Sequence, residues 1–182
     1  MTQADACRLP VDGGDAVFCE VTGYGPPIVL THDAILHRET WDAQFESLSS
    51  YYRVARWDRR GYGQSDEPST SYSSVDDLAR VVAFLSDSPT ILIGCSFGGL
   101  LSLHCALEHP ELVAALVLVG PIVSGLGFTG HFLSRGGRRA DGDLTLAEEV
   151  EYWSSTDQWY VAPANASARN RPFTIPGLTS WS

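Results

Sequence analysis

The stretch best suited to chemistry reads Ile91-Leu92-Ile93-Gly94-Cys95-Ser96-Phe97-Gly98-Gly99: an apolar run leads into G-x-S-x-G, and a helical pattern follows at once. A serine on a strand-to-helix turn adopts a strained backbone and projects its hydroxyl from the carboxyl edge of a sheet. Glycines two positions either side, Gly94 and Gly98, keep neighbouring side chains from colliding there. The helix that starts at this turn favours developing negative charge, and the main-chain N–H of Phe97 offers one oxyanion donor. A second donor is expected from the loop after the run Ile28–Thr31, which reads Thr31-His32-Asp33-Ala34. The N–H of Ala34 is the candidate, and His32 is read as a residue that hydrogen-bonds this loop in place. Together these parts suit acyl transfer, with Ser96 attacking an acyl carbon while two amides hold the oxyanion.

Such a site needs a sheet beneath it. Short apolar runs alternate with amphipathic stretches through the first 120 residues, as βα units do. Strands are predicted over Val17–Val21, Ile28–Thr31, Arg53–Trp57, Thr90–Ile93 and Ala115–Val119; the last three carry branched residues on both faces, as covered parallel strands do. Helices are predicted from the stripe Trp41, Phe45, Leu48, from Val75, Leu78, Val82, Leu85 behind capping serines, and from Phe97 to about Glu108, ahead of Pro110. The fold class is therefore α/β with an open, mostly parallel sheet. After Gly120 the character changes. Segment 121–143 is glycine-rich and aperiodic, Thr145 and Glu148 form a capping box before the stripe Leu146, Val150, Trp153, and no further strand of comparable strength follows.

The block from Pro26 to Val119 resembles the first half of an α/β-hydrolase. It carries a strand ending in His32, then Trp41-Asp42-Ala43-Gln44-Phe45, then Asp58-Arg59-Arg60-Gly61-Tyr62-Gly63-Gln64-Ser65, the Ser96 turn, and a helix closing at His109-Pro110-Glu111, all in family order. The resemblance implies a three-layer fold, a serine nucleophile at Ser96, an oxyanion hole from the Phe97 and Ala34 amides, and a lid beginning after Gly120. One departure stands out: the family usually has glycine after the histidine, where this chain has Asp33. A carboxylate there suits an oxyanion site only if it points away. The Asp58–Ser65 segment is read as shaping a turn beside the site.

In this fold the order along the chain is serine, acid, histidine. Downstream of Ser96 stand His104, eight residues along the nucleophile's helix, His109 at that helix's far end, and His131 in the glycine-rich segment; no histidine follows Asp141 or the later acids. The acid and histidine of a triad are thus expected to be missing and the chain to be truncated, lacking the last strands. Three segments are expected: 1–120 as the first part of the hydrolase core, 121–169 as the start of a lid, and 170–182 as an irregular tail. The strand Ala115–Val119 would then expose an apolar edge, and a homo-oligomer covering it is expected.

Composition bounds the partners. The 182 residues carry 12 basic side chains, all arginine, against 22 acids, and the net charge of −10 disfavours nucleic acid or an anionic membrane. No run reaches the roughly 18 apolar residues of a membrane span. The start MTQADACRLP has neither a basic nor an apolar signal region, so a cytoplasmic setting is expected. Cys7, Cys19, Cys95 and Cys105 lack metal-ligand spacing and read as free thiols, with no metal or cofactor expected. The partner expected is a small-molecule acyl substrate. The leading reading is a serine hydrolase of a small to medium ester, lactone or related acyl compound. Two alternatives stay open: a non-catalytic remnant or ligand-binding module of the same fold, and a cofactor-free perhydrolase or carbon–carbon bond hydrolase.

Overall fold

The computed structural model describes residues 4–127. The chain divides into two units, Met1–Ile122 and Val123–Ser182, and only 123–127 of the second lie among the described residues. The expected lid helix, the tail, His131, and the division of the chain beyond 127 fall outside them.

Six strands form one sheet: β1 (Asp5–Pro10), β2 (Ala16–Thr22), β3 (Pro27–Thr31), β4 (Arg53–Asp58), β5 (Thr90–Cys95) and β6 (Val113–Val119), in the order β1-β2-β4-β3-β5-β6. β1 and β2 run antiparallel, as do β2 and β4, while β4, β3, β5 and β6 are mutually parallel. Three helices accompany it: α1 (Asp42–Leu48), α2 (Ser74–Leu85) and α3 (Phe97–Glu108). The α/β class and the mostly parallel sheet are as the sequence indicated. β1 was not anticipated, because the apolar alternation in Asp-Ala-Cys-Arg-Leu-Pro is confined to Cys7 and Leu9; it is an edge strand with its outward residues in water.

The alternation of side chains on β3, β4 and β5 builds two cores, one per sheet face. Ile28, Leu30, Val54, Ile91 and Ile93 meet Trp41 and Phe45. On the other face Val29, Ala55, Trp57 and Leu92 meet Leu78, Val81, Val82, Leu85, Leu101 and Cys105. The result is three layers: α1, sheet, and α2 with α3. Trp41 closes a short 3-10 turn, Arg38–Trp41, ahead of α1, so the predicted stripe spans two elements. α2 opens on Ser73, whose hydroxyl accepts the Asp76 N–H at 3.1 Å. α1 is only seven residues long and packs on β4, and on the corresponding face of β6 Val117 and Val119 are 47% and 48% exposed. Among the described residues no helix is long and apolar enough to cross a membrane.

Candidate active site

β5 ends at Cys95 and α3 begins at Phe97, so Ser96 alone makes the turn between strand and helix. It does so at φ 51°, ψ −114°, and among the described residues it is the one non-glycine with positive φ. That conformation is held by four hydrogen bonds. The Ser96 N–H donates to Val119 O at 3.0 Å, and the Ser96 carbonyl accepts from the N–H groups of Gly99 (3.0 Å), Leu100 (3.2 Å) and Ile122 (3.2 Å). A strained backbone persists only where its surroundings over-determine it, and here both the helix and the end of β6 do so.

The flanking glycines are required by backbone contact. A Cβ on Gly94 would stand 2.3 Å from Gly98 O, and a Cβ on Gly98 would stand 2.3 Å from Thr31 O and 2.5 Å from His32 O. No side chain fits at either distance. The same approach brings the first turn of α3 against the end of β3, so the Thr31–Ala34 loop and the Ser96 turn share one edge of the sheet. Phe97 supplies the first N–H of the helix there.

His32 is completely buried and engaged at both ring nitrogens. Nε2 accepts the Arg59 N–H at 3.1 Å, which leaves the ring proton on Nδ1, and Nδ1–H donates to Asp33 O at 2.7 Å. Burial, with the nearby Arg59 charge adding to it, holds the imidazole well below its usual pKa and neutral. This ring positions a loop, and neither nitrogen is left to take a proton from Ser96. Asp33, the residue that departs from the family pattern, turns its carboxylate onto its own loop. Oδ1 accepts from the N–H groups of Ile35 (2.6 Å) and Leu36 (2.7 Å). The carboxylate therefore caps the following turn.

The Asp58–Ser65 segment does more than shape a turn. Asp58, fully buried, accepts the Arg38 N–H (2.8 Å), the Arg38 Nη1 (2.5 Å) and the Gln64 N–H (2.9 Å). Ser65 Oγ donates to Asp58 O at 2.5 Å and accepts the Phe18 N–H at 2.8 Å, tying the loop to β2. Arg59 extends from this frame to the site. Its Nη2 donates to Asp33 O at 2.7 Å, and its guanidinium lies between the Tyr62 and Phe97 rings, 4.3 and 4.6 Å from their centroids. Tyr62 donates its hydroxyl to Ala34 O at 2.8 Å. Arg59 and Tyr62 thus link the Ala34 loop to the residue after Ser96, a role the sequence reading did not assign. Residue type could not have revealed it. The adjacent Arg60 looks the same in sequence, yet it pairs with Asp77 and Asp15 (2.8 and 2.9 Å) on the other side.

The remaining described histidines divide by position. His104 pairs with Glu108 one turn further down α3, and His109 ends that helix beside Asp76. His37 precedes the Arg38–Trp41 turn, and its Nδ1 is buried without a hydrogen-bond partner. All four cysteines are free. Burial raises the Cys95 thiol above its usual pKa, and the Asp33 charge adds to this, so the neighbour of Ser96 stays protonated.

Comparison with known proteins agrees with this geometry. Residues 26–175 match the family described as alpha/beta hydrolase fold. The chain is 35% identical over 104 residues to the pimeloyl-acyl-carrier protein methyl ester esterase of Nitrosomonas europaea, covering 57% of this chain and 40% of that protein. It is 38% identical over 100 residues to the protein of the same name from Vibrio campbellii, covering 53% and 37%. A solved structure described as "Est816 as an N-Acyl homoserine lactone degrading enzyme" superposes with a TM-score of 0.60 at 28% identity, over 63% of this chain and 45% of that one. The chain therefore spans about 40% of the length of the relatives it matches. With its model matched across 150 of the 182 residues (26 to 175), the chain belongs to the alpha/beta hydrolase fold family.

Proposed function

We propose that this chain carries the nucleophile and oxyanion hole of a hydrolase acting on a small to medium carboxylic ester or lactone. The observation that carries the reading is the backbone of Ser96, φ 51° and ψ −114°, between two glycines that admit no Cβ. A fold tolerates such strain where a hydroxyl has to project from the sheet edge. Ser96 Oγ attacks the acyl carbon, and the carbonyl oxygen becomes an oxyanion held by the N–H groups of Phe97 and Ala34. Collapse expels the alcohol and leaves an acyl-serine, which water then cleaves to the carboxylic acid. The matched esterases and the lactone-degrading neighbour support an acyl substrate of this kind.

His32 uses both nitrogens, and His104 and His109 lie away from the turn along α3. Among the described histidines, His37 Nδ1 and His109 Nε2 are buried without a hydrogen-bond partner, and His131 lies outside the described residues. Fluorophosphonate labelling read by intact mass, with Ser96→Ala as control, tests the proposal directly. One label per chain that vanishes in the variant is the expected result. A folded chain that takes no label would instead be a ligand-binding module of the same fold.

A further inference from the structure

Outside the site, β1 and β2 bring two cysteines together. Cys7 stands directly opposite Cys19 in the antiparallel ladder. Directly opposed residues on such a pair point to the same face, with Cα atoms roughly 4.5–5.5 Å apart. That lies inside the roughly 4.4–6.8 Å window of disulfides. We propose that Cys7 and Cys19 form a modification site, a dithiol that hydroperoxides convert to a reversible cross-strand disulfide.

The environment divides the two roles. Cys19 is completely buried in the core beneath α2, whereas Cys7 is half-buried on the edge strand. Burial, then contact with the Cys7 thiol, pushes the Cys19 thiol far above its usual pKa. Cys7 is therefore the group that meets oxidant. Its thiol and a hydroperoxide ROOH give Cys7–SOH and ROH. The Cys19 thiol then displaces hydroxide from that sulfur, forming Cys7–S–S–Cys19 and releasing one water. Each equivalent of hydroperoxide is reduced by two electrons, and both come from the thiol pair. Cys95 and Cys105, on β5 and α3, have no cysteine opposite them and stay outside this chemistry.

The bond would fasten a strand that pairs on one side only. Among the described residues β1 hydrogen-bonds to β2 alone, and Arg8 also anchors it, donating to Gln64 O at 2.6 Å and pairing with Asp66. Edge strands of this kind fray first, so oxidation would also steady the far end of the Asp58–Ser65 frame.

Trypsin offers a clean readout. The chain has no lysine, and Arg8 lies between the two cysteines, so Cys7 falls in peptide 1–8 and Cys19 in peptide 9–38. The folded, reduced chain is treated with hydrogen peroxide, alkylated and digested without reductant. The expected product is peptide 1–8 linked to 9–38, absent in Cys7→Ser and reversed by dithiothreitol. The oxidised chain should melt about 5–10 °C above the reduced one. Three results would overturn the proposal: Cys7 over-oxidised to sulfinic acid with Cys19 still alkylated, a linked peptide no more abundant than after oxidation in urea, or both thiols surviving peroxide that oxidises free cysteine.

Discussion

Replacing Ser96 by glycine should destroy the nucleophile and stabilise the protein. Ser96 sits at φ 51°, ψ −114°, which costs a residue bearing a Cβ about 1–3 kcal/mol. For glycine the same angles mirror an ordinary extended conformation and carry no penalty. Against that gain stands the extra freedom glycine has when unfolded, about 0.5–1 kcal/mol. Ser96 makes no side-chain hydrogen bond to its helix and is only half-buried, so little packing is lost. The net gain is about 0–2.5 kcal/mol, or up to about 10 °C in Tm at this chain length. Ser96→Ala is the necessary comparison, because alanine keeps the Cβ and with it the strain. Melts of both variants followed by circular dichroism, with urea midpoints as a check, give the answer. If the glycine variant is less stable than the alanine variant by more than about 1 kcal/mol, glycine's whole entropic cost is unopposed, the strain is not there, and the principal support for Ser96 as a nucleophile goes with it.

Other predictions bear on the surrounding frame. Gly98→Ala places a Cβ 2.3 Å from Thr31 O, against backbone that cannot swing aside. It should destabilise the fold by about 2–3 kcal/mol and abolish fluorophosphonate labelling; unchanged labelling would show that α3 and β3 need not approach so closely. His32 supplies a pH dependence. Its folded pKa lies well below the unfolded value of about 6.5, so between these values the unfolded chain binds the extra proton. Stability should therefore be full above about pH 6.5 and fall as pH drops below it. Urea midpoints measured from pH 5 to 7.5 should show this slope in the parent chain and lose close to one proton's worth in His32→Gln; an unchanged slope would rule out a neutral buried His32.

Sequence patterning exposed the sheet well where it is central and poorly where it is marginal. β3 and β5 are central and covered on both sides, so Ile-Val-Leu and Ile-Leu-Ile stand out as continuous runs, while β4, Arg-Val-Ala-Arg-Trp-Asp, carries only Val54 of that kind. β1 is an edge strand whose alternate positions face water, and its two inward residues, Cys7 and Leu9, make too short an alternation to stand out. The Ser96 turn was legible because its glycines stand at fixed spacing about the serine, although the contact Gly98 answers, with Thr31 and His32, is tertiary. The roles of Arg59 and Tyr62 were hidden because they depend on which way a side chain leaves a tight turn. Arg59 goes toward Phe97 and Arg60 toward Asp77, a choice made by tertiary packing. Asp33 was legible as a departure, but its resolution was not: only the fold reveals that its carboxylate closes onto the amides of Ile35 and Leu36.

The way that loop is anchored bears on how freely it can vary. His32 Nδ1 and Arg59 Nη2 both grip the carbonyl of residue 33, and the Tyr62 hydroxyl grips the carbonyl of residue 34. Every amino acid has that carbonyl, so the clamp is blind to the side chains it restrains. Position 34 can then accept substitutions that reshape the rim of the site without loosening the chain that forms it, whereas position 33 is also held by its carboxylate on the Ile35 and Leu36 amides. A library randomised at position 34, built on an intact His32, Asp33, Arg59 and Tyr62, would sample new acyl specificities from a scaffold whose melting temperature scarcely moves.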